Sequence, residues 1–206
     1  MSLDAVMAAP TGAPLADEHS LQQTLALVVA TLREAGLAFA LMGGAGIYAR
    51  GGPPTTHDID ILVCEEDALP AREALVSAGM TPIDPPEDWL TKAYCGEWLV
   101  DIIFRPNERP CTRETLALAE DIRVGSITAP VMPASVLVID KLLVMGPHRC
   151  DFTEVLPAAR ALREQVSWDE VRSEVMVSPY AEAFLLLTER LGISPAQDPE
   201  ATAKER

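Results

Sequence analysis

The sequence predicts an α+β fold, with strands and helices mixed in the front part and helices alone at the back. The patterning changes along the chain. Up to residue 132, short apolar runs broken by glycine or proline alternate with helical patterns, and from Pro133 onward the period is helical. Composition says that such a fold has a core to bury. Of 206 residues, 49% are hydrophobic, too many for a disordered acidic protein despite a formal charge of -15.

Residues 1–19, rich in Ala, Pro and Gly with no sustained period, read as a flexible leader. Ser20 and Gln23 form a capping-box pattern that opens a helix, and Gly36 stops it. Leu21, Leu25, Val28, Val29 and Leu32 share its apolar face. Residues 37–42 read as a short strand ending in Gly43-Gly44, and 45–50 as one or two helical turns before the break at 51–54. A second strand is expected at 59–63, then a helix over 66–78 closed by Gly79. Residues 89–94 and 97–104 form a hairpin pattern turning at Gly96. A loop at 105–113, a helix to 120 and mixed strand and turn at 122–131 complete the front. Four helices are expected at 134–145, 152–165, 168–176 and 180–191. The organisation is therefore a leader (1–19), a core (20–132), a helical part packed on it (133–193) and a frayed tail (194–206).

Several function classes fall away. No apolar run approaches the roughly 20 residues that span a bilayer, and no basic N-terminal region suggests secretion, so a cytoplasmic protein without a membrane partner is expected. The acidic balance offers no general attraction to polyphosphate, although a local basic groove stays open. Cys64, Cys95, Cys111 and Cys150 lack the spacing of a zinc site or a disulfide framework, and read as reduced thiols.

The carboxylates carry the chemistry. In Asp58-Ile59-Asp60-Ile61, a strand puts both acids on one face and both isoleucines on the other. Two such carboxylates repel each other unless a cation lies between them, and Mg2+ prefers their oxygens. Edge protection by charge is the plainer account of such a pair. Asp101 interrupts Trp98-Leu99-Val100-Asp101-Ile102-Ile103, otherwise a buried strand, where an unpaired charge is costly. If the two strands are neighbours, Asp58, Asp60 and Asp101 converge on one or two metal ions. Gly43-Gly44, directly after a strand, lets backbone N–H groups approach an anion closely, or is simply a turn.

Those residues resemble the signature of the DNA polymerase β-like nucleotidyltransferase superfamily: Leu41-Met42-Gly43-Gly44, a spacer, then Thr56-His57-Asp58-Ile59-Asp60-Ile61, with Asp101 on a later strand. The resemblance is strongest to small bacterial nucleotidyltransferases of the toxin/abortive-infection (AbiEii-like) kind, and covers residues 25–161. It implies a small mixed-sheet nucleotidyltransferase core flanked by helices, with a C-terminal helical extension. It also implies Mg2+ or Mn2+ held by Asp58, Asp60 and Asp101, which are the catalytic residues. A nucleoside triphosphate would be bound at Gly43, Gly44, Thr56 and Lys141. The chain departs from the family at Pro54, where relatives often carry Arg, and at Gly44, where many carry Ser. Arg50 is a conceivable replacement for that Arg.

Other residues have competing readings. Lys141, in a very apolar helix, either snorkels to solvent or meets a triphosphate. Arg149 and Asp151 suit an ion pair, His57 points away from the acids, and His148 reads as a surface residue. Arg105, Arg109 and Arg113 are the one cluster that could form a basic groove. The expected activity is transfer of an NMP from an NTP to a hydroxyl of an undetermined acceptor, with release of pyrophosphate. The alternatives are a tRNA-modifying toxin with an antitoxin partner, and a non-catalytic nucleotide-binding module.

Overall fold

The computed structural model describes residues 18–56 and 58–196; most of the expected leader, His57 and the end of the expected tail lie outside the described residues. Helix α1 (Glu18–Glu34) buries Leu21, Leu25, Val28, Val29 and Leu32, the face expected of it. It is already under way at Glu18, two residues before the expected start at Ser20. The stop is as expected. Gly36 takes a φ of +68°, and the N–H groups of Gly36 and Leu37 donate to the carbonyls of Arg33 and Leu32.

Strand β1 (Ala40–Met42) is shorter than its apolar run because only these residues find partners on β2 (Asp58–Leu62). Between them lies the short helix α2 (Gly43–Ala49). Helix α3 (Glu65–Ser77) opens with Glu65, Glu66 and Asp67, acids that suit a helix N-terminus. The edge strand β3 (Thr81–Ile83) was not expected; it is brief, and Pro82 breaks the strand pattern. The hairpin of β4 (Leu90–Cys95) and β5 (Trp98–Ile103) turns at Gly96 as expected. A 3-10 turn (Pro106–Glu108) and α4 (Arg113–Leu116) follow. The helix expected to run to residue 120 ends early because Glu120 is taken into the sheet, where β6 (Glu120–Val124) pairs with β7 (Ile127–Val131). Helices α5 (Ala134–Leu143), α6 (Val155–Leu162), α7 (Trp168–Val175) and α8 (Pro179–Arg190) are the expected four, the first three shorter than their patterns and α8 shifted by one residue.

The seven strands form one mixed sheet in the order β3-β4-β5-β2-β1-β7-β6. Alternation along β2 and β5 sorts the side chains between two cores. Ile59, Ile61, Val100 and Ile102 point toward α1 and α3, whose Leu25, Leu32 and Leu75 are fully buried against them. Leu62 and Ile103 point to the opposite face, where Leu137 and Leu142 of α5 join Phe184 of α8. Burial of each such side chain contributes about 1.5–3 kcal/mol. Phe184 also meets Phe152 edge to face at 5.3 Å between ring centroids, which joins α8 to the segment before α6. No helix among the described residues is long and apolar enough to cross a membrane.

Candidate active site

Strand β2 lies between β1 and β5, parallel to β5, and the register sets Asp60 directly opposite Asp101. Residues opposite each other on neighbouring strands point to one face with Cβ atoms about 5 Å apart. Asp58, two residues before Asp60, points the same way. Asp58, Asp60 and Asp101 thus meet on the face that carries α5, at the end where the helices leave the sheet uncovered. The row continues across the sheet: Met42 stands opposite Asp60 and Lys92 opposite Asp101.

The glycine pair is fitted to Asp60. Gly43 has a φ of +51°, and a Cβ there would lie 1.9 Å from Asp60 Oδ2. The Gly44 N–H donates to the same oxygen at 3.2 Å. The Gly44 amide thus ties α2 to the Asp60 carboxylate. A Cβ on Gly44 would meet Thr55 at 2.9 Å, and Thr55 Oγ1 donates to the Asp58 carbonyl at 2.9 Å, anchoring the loop to the start of β2.

Two cavities adjoin these residues. One, of about 810 Å³, is lined by Gly43, Asp58, Asp60, Asp101, Lys141 and Arg149 among others. The second, of about 350 Å³, is lined by Gly44, Thr55 and exposed Thr56, and shares Asp58, Asp60 and Lys141 with the first. Both lie in the size range of small-ligand sites. Lys141 therefore faces the carboxylates from α5 and does not snorkel away from them.

Charge is poorly solvated here. Burial raises the Asp60 pKa to about 7; Lys141 and the Gly44 N–H oppose the rise, while Asp101 and Asp58 add to it. Burial also raises Asp101, with Lys92 opposing and Asp58 reinforcing. Lys92 Nζ lies 3.5 Å from Asp101 Oδ1, an ion pair that leaves this buried oxygen without a hydrogen bond. Asp140 rises to about 6 through burial, against Lys141 and the 2.6 Å hydrogen bond donated by Asn107. Among the described residues no three His, Cys, Asp or Glu side chains are gathered into a ready-made metal cage. Bare carboxylates repel, and two of these have partners of their own in Gly44 and Lys92. The donor set still suits a hard divalent cation: oxygens alone, one of them orphaned, beside a position at Gly43 that a side chain would fill.

Other expectations need correction. Arg50 is not near this site. Its side chain is 5% exposed, donating from Nε to the Met132 carbonyl at 2.6 Å and pairing with Glu120 at 2.8 Å. It turns away because the α2 end lies over β6 and β7, whose backbone and acids claim its guanidinium. Asp151 does not pair with Arg149; it accepts from Thr153 N–H and Oγ1. The arginines expected to form a basic groove are each neutralised: Arg105 by Asp88, Arg109 by Glu174, Arg113 by Glu66 and Asp67. The sequence reading missed Lys92. It was recoverable, since a hairpin turning at Gly96 places Lys92 across from Asp101.

No protein-family model matches the chain, and no curated protein sequence matches it. Solved structures do. The solution structure of the antibiotic-resistance factor ANT(2'')-Ia superposes with a TM-score of 0.59 at 16% identity, covering 84% of this chain and 98% of that one. The same factor in complex with adenylyl-2''-tobramycin gives 0.57 at 16% identity, over 80% and 99%. An antigenic nucleotidyltransferase-like protein from Paracoccidioides brasiliensis gives 0.51 at 14% identity, over 84% and 94%. Likeness at this level concerns the fold: the chain shares with these proteins a mixed sheet with helices around it.

Proposed function

We propose that the chain is a divalent-metal-dependent nucleotidyltransferase that transfers an NMP from an NTP to a hydroxyl of a small-molecule acceptor, releasing pyrophosphate. The observation that carries this reading is the convergence of Asp58, Asp60 and Asp101 on one face, with Asp60 opposite Asp101. Asp58 and Asp60 would hold Mg2+ or Mn2+, with Asp101 beside them as the proton acceptor. The ion would supply charge neutralisation at the phosphates and polarisation of the α-phosphorus. Lys141, reaching both cavities, is suited to a phosphate oxygen. Gly43 and Gly44 keep that wall free of side chains, and Thr56 offers a hydroxyl from the loop. The acceptor oxygen bonds to the α-phosphorus as the bond to the β-phosphate oxygen breaks; Asp101 takes the hydroxyl proton, and pyrophosphate leaves.

A small acceptor is favoured over RNA because the arginines that could have formed a basic groove are spent on acids. That the similar ANT(2'')-Ia is an antibiotic-resistance factor, seen with adenylyl-2''-tobramycin, points the same way. An AbiEii-like toxin with an antitoxin partner draws no support of this kind. The test is pyrophosphate release with each NTP against a panel of hydroxyl-bearing small molecules and tRNA. Activity with one small acceptor, lost in the Asp58→Asn, Asp60→Asn double variant while melting stays cooperative, is the expected result. Undiminished turnover in that variant would refute the assignment.

A further inference from the structure

Lys92 has no part in the reaction as assigned above, yet it belongs to the same row of residues. Its strand β4 pairs with β5 on the side away from β2, so Asp101 stands between Asp60 and Lys92. The ammonium lies 3.5 Å from Asp101 Oδ1, and the two side chains are only 19% and 13% exposed, so water screens the pair weakly. Among the described residues Asp101 is its one ion-pair partner. Lys141 differs: it acts on Asp60 through space, without a contact of that kind.

We propose that Lys92 is a built-in counter-cation for Asp101 that takes the electrostatic place of a second divalent ion, so that the nucleotide-free protein binds one ion, at Asp58 and Asp60. The inference rests on the metal-dependent reading above. Two features of Asp101 agree. Its Oδ1, left without a hydrogen bond, is held by charge alone. The cross-strand register fixes the lysine at that spot, since a Cβ pair about 5 Å apart leaves the four-carbon stem little choice but to lie along its neighbour. A second dication at Asp101 would have to approach an ammonium already there. Lys92 is thus a positioning residue: it holds Asp101 in place for the acceptor proton.

The test is a Mn2+ titration of the nucleotide-free protein at pH 8, with free Mn2+ read by electron paramagnetic resonance. Wild type is expected to take up one ion per chain. Lys92→Met, which keeps the buried stem and removes the charge, is expected to take up two, its second site tightened at least about tenfold by the loss of one repelling charge. Lys92→Arg, which keeps the charge, is expected to remain at one. Melting curves establish that each variant is folded, and Lys92→Gln replaces the methionine variant if that one is not. Equal stoichiometry and affinity in wild type and the charge-removed variant would overturn this inference alone, as would two ions in wild type. No ion bound by any variant would overturn the metal-dependent reading and this inference with it.

Discussion

Replacing Gly43 by alanine asks how closely the α2 start is fitted to Asp60. The added Cβ would lie 1.9 Å from Asp60 Oδ2, whereas real Cβ atoms essentially never come under 3.0 Å, so the carboxylate must retreat by about 1 Å. Alanine must also hold a φ of +51°, at a cost of roughly 1–2 kcal/mol. A second variant separates these effects. Gly36 has a similar φ, +68°, but nothing within 4 Å of its would-be Cβ, so Gly36→Ala carries the backbone cost alone. Urea unfolding should therefore show Gly36→Ala destabilised by about 1–2 kcal/mol and Gly43→Ala by more. Pyrophosphate release should separate them. Gly36→Ala keeps wild-type turnover, while Gly43→Ala loses on the order of a hundredfold, as expected for a 1 Å displacement of a reacting group. Turnover of Gly43→Ala within threefold of wild type would refute the argument, and so would an equal loss in Gly36→Ala.

Asp60, Asp101 and Asp140 all have raised folded-state pKa values, to about 7 for Asp60 and about 6 for Asp140. The folded protein then holds protons that the unfolded chain has lost. Metal-free stability should fall as pH rises from the ordinary carboxylate value of 3.8 to about 7, and Asp60→Asn should flatten that fall in melting curves taken in chelator. Arg50→Met should destabilise the protein by about 1–3 kcal/mol in urea, because it strands the Met132 carbonyl and unpairs Glu120, while leaving turnover at saturating substrate unchanged. Phe184→Ala, which empties a fully buried site between α8 and Phe152, should cost about 3–5 kcal/mol by the same measurement. Asp101→Asn should abolish pyrophosphate release without weakening NTP retention in equilibrium dialysis by more than threefold, because its partner in the folded protein is Lys92.

Much of the site was legible because strands have a period of two. The alternation of Asp and Ile from 58 to 61 fixed which side chains face the helices, and the apolar run around Asp101 marked that residue as out of place. Elements failed where local pattern competes with pairing. Glu120 fits a helix end by its neighbours, but β7 recruits it, and no local signal announces a partner. Arg50 shows the same limit. Its distance along the chain from Asp58 is short, yet the course of α2 over β6 and β7 carries its guanidinium to another region. Lys92 was hidden because a lysine in a hairpin reads as solvation until the register is counted from Gly96.

The parallel pairing of β2 with β5 has a kinetic side. Asp60 and Asp101 become neighbours only after the chain has passed through α3, β3 and β4 and returned to dock β5 beside β2. Pairings that close so long a loop form late, because the entropy of closure comes before any contact repays it. A partly folded chain therefore has only Asp58 and Asp60 of the row, and Asp101 with its lysine joins them only in the finished topology.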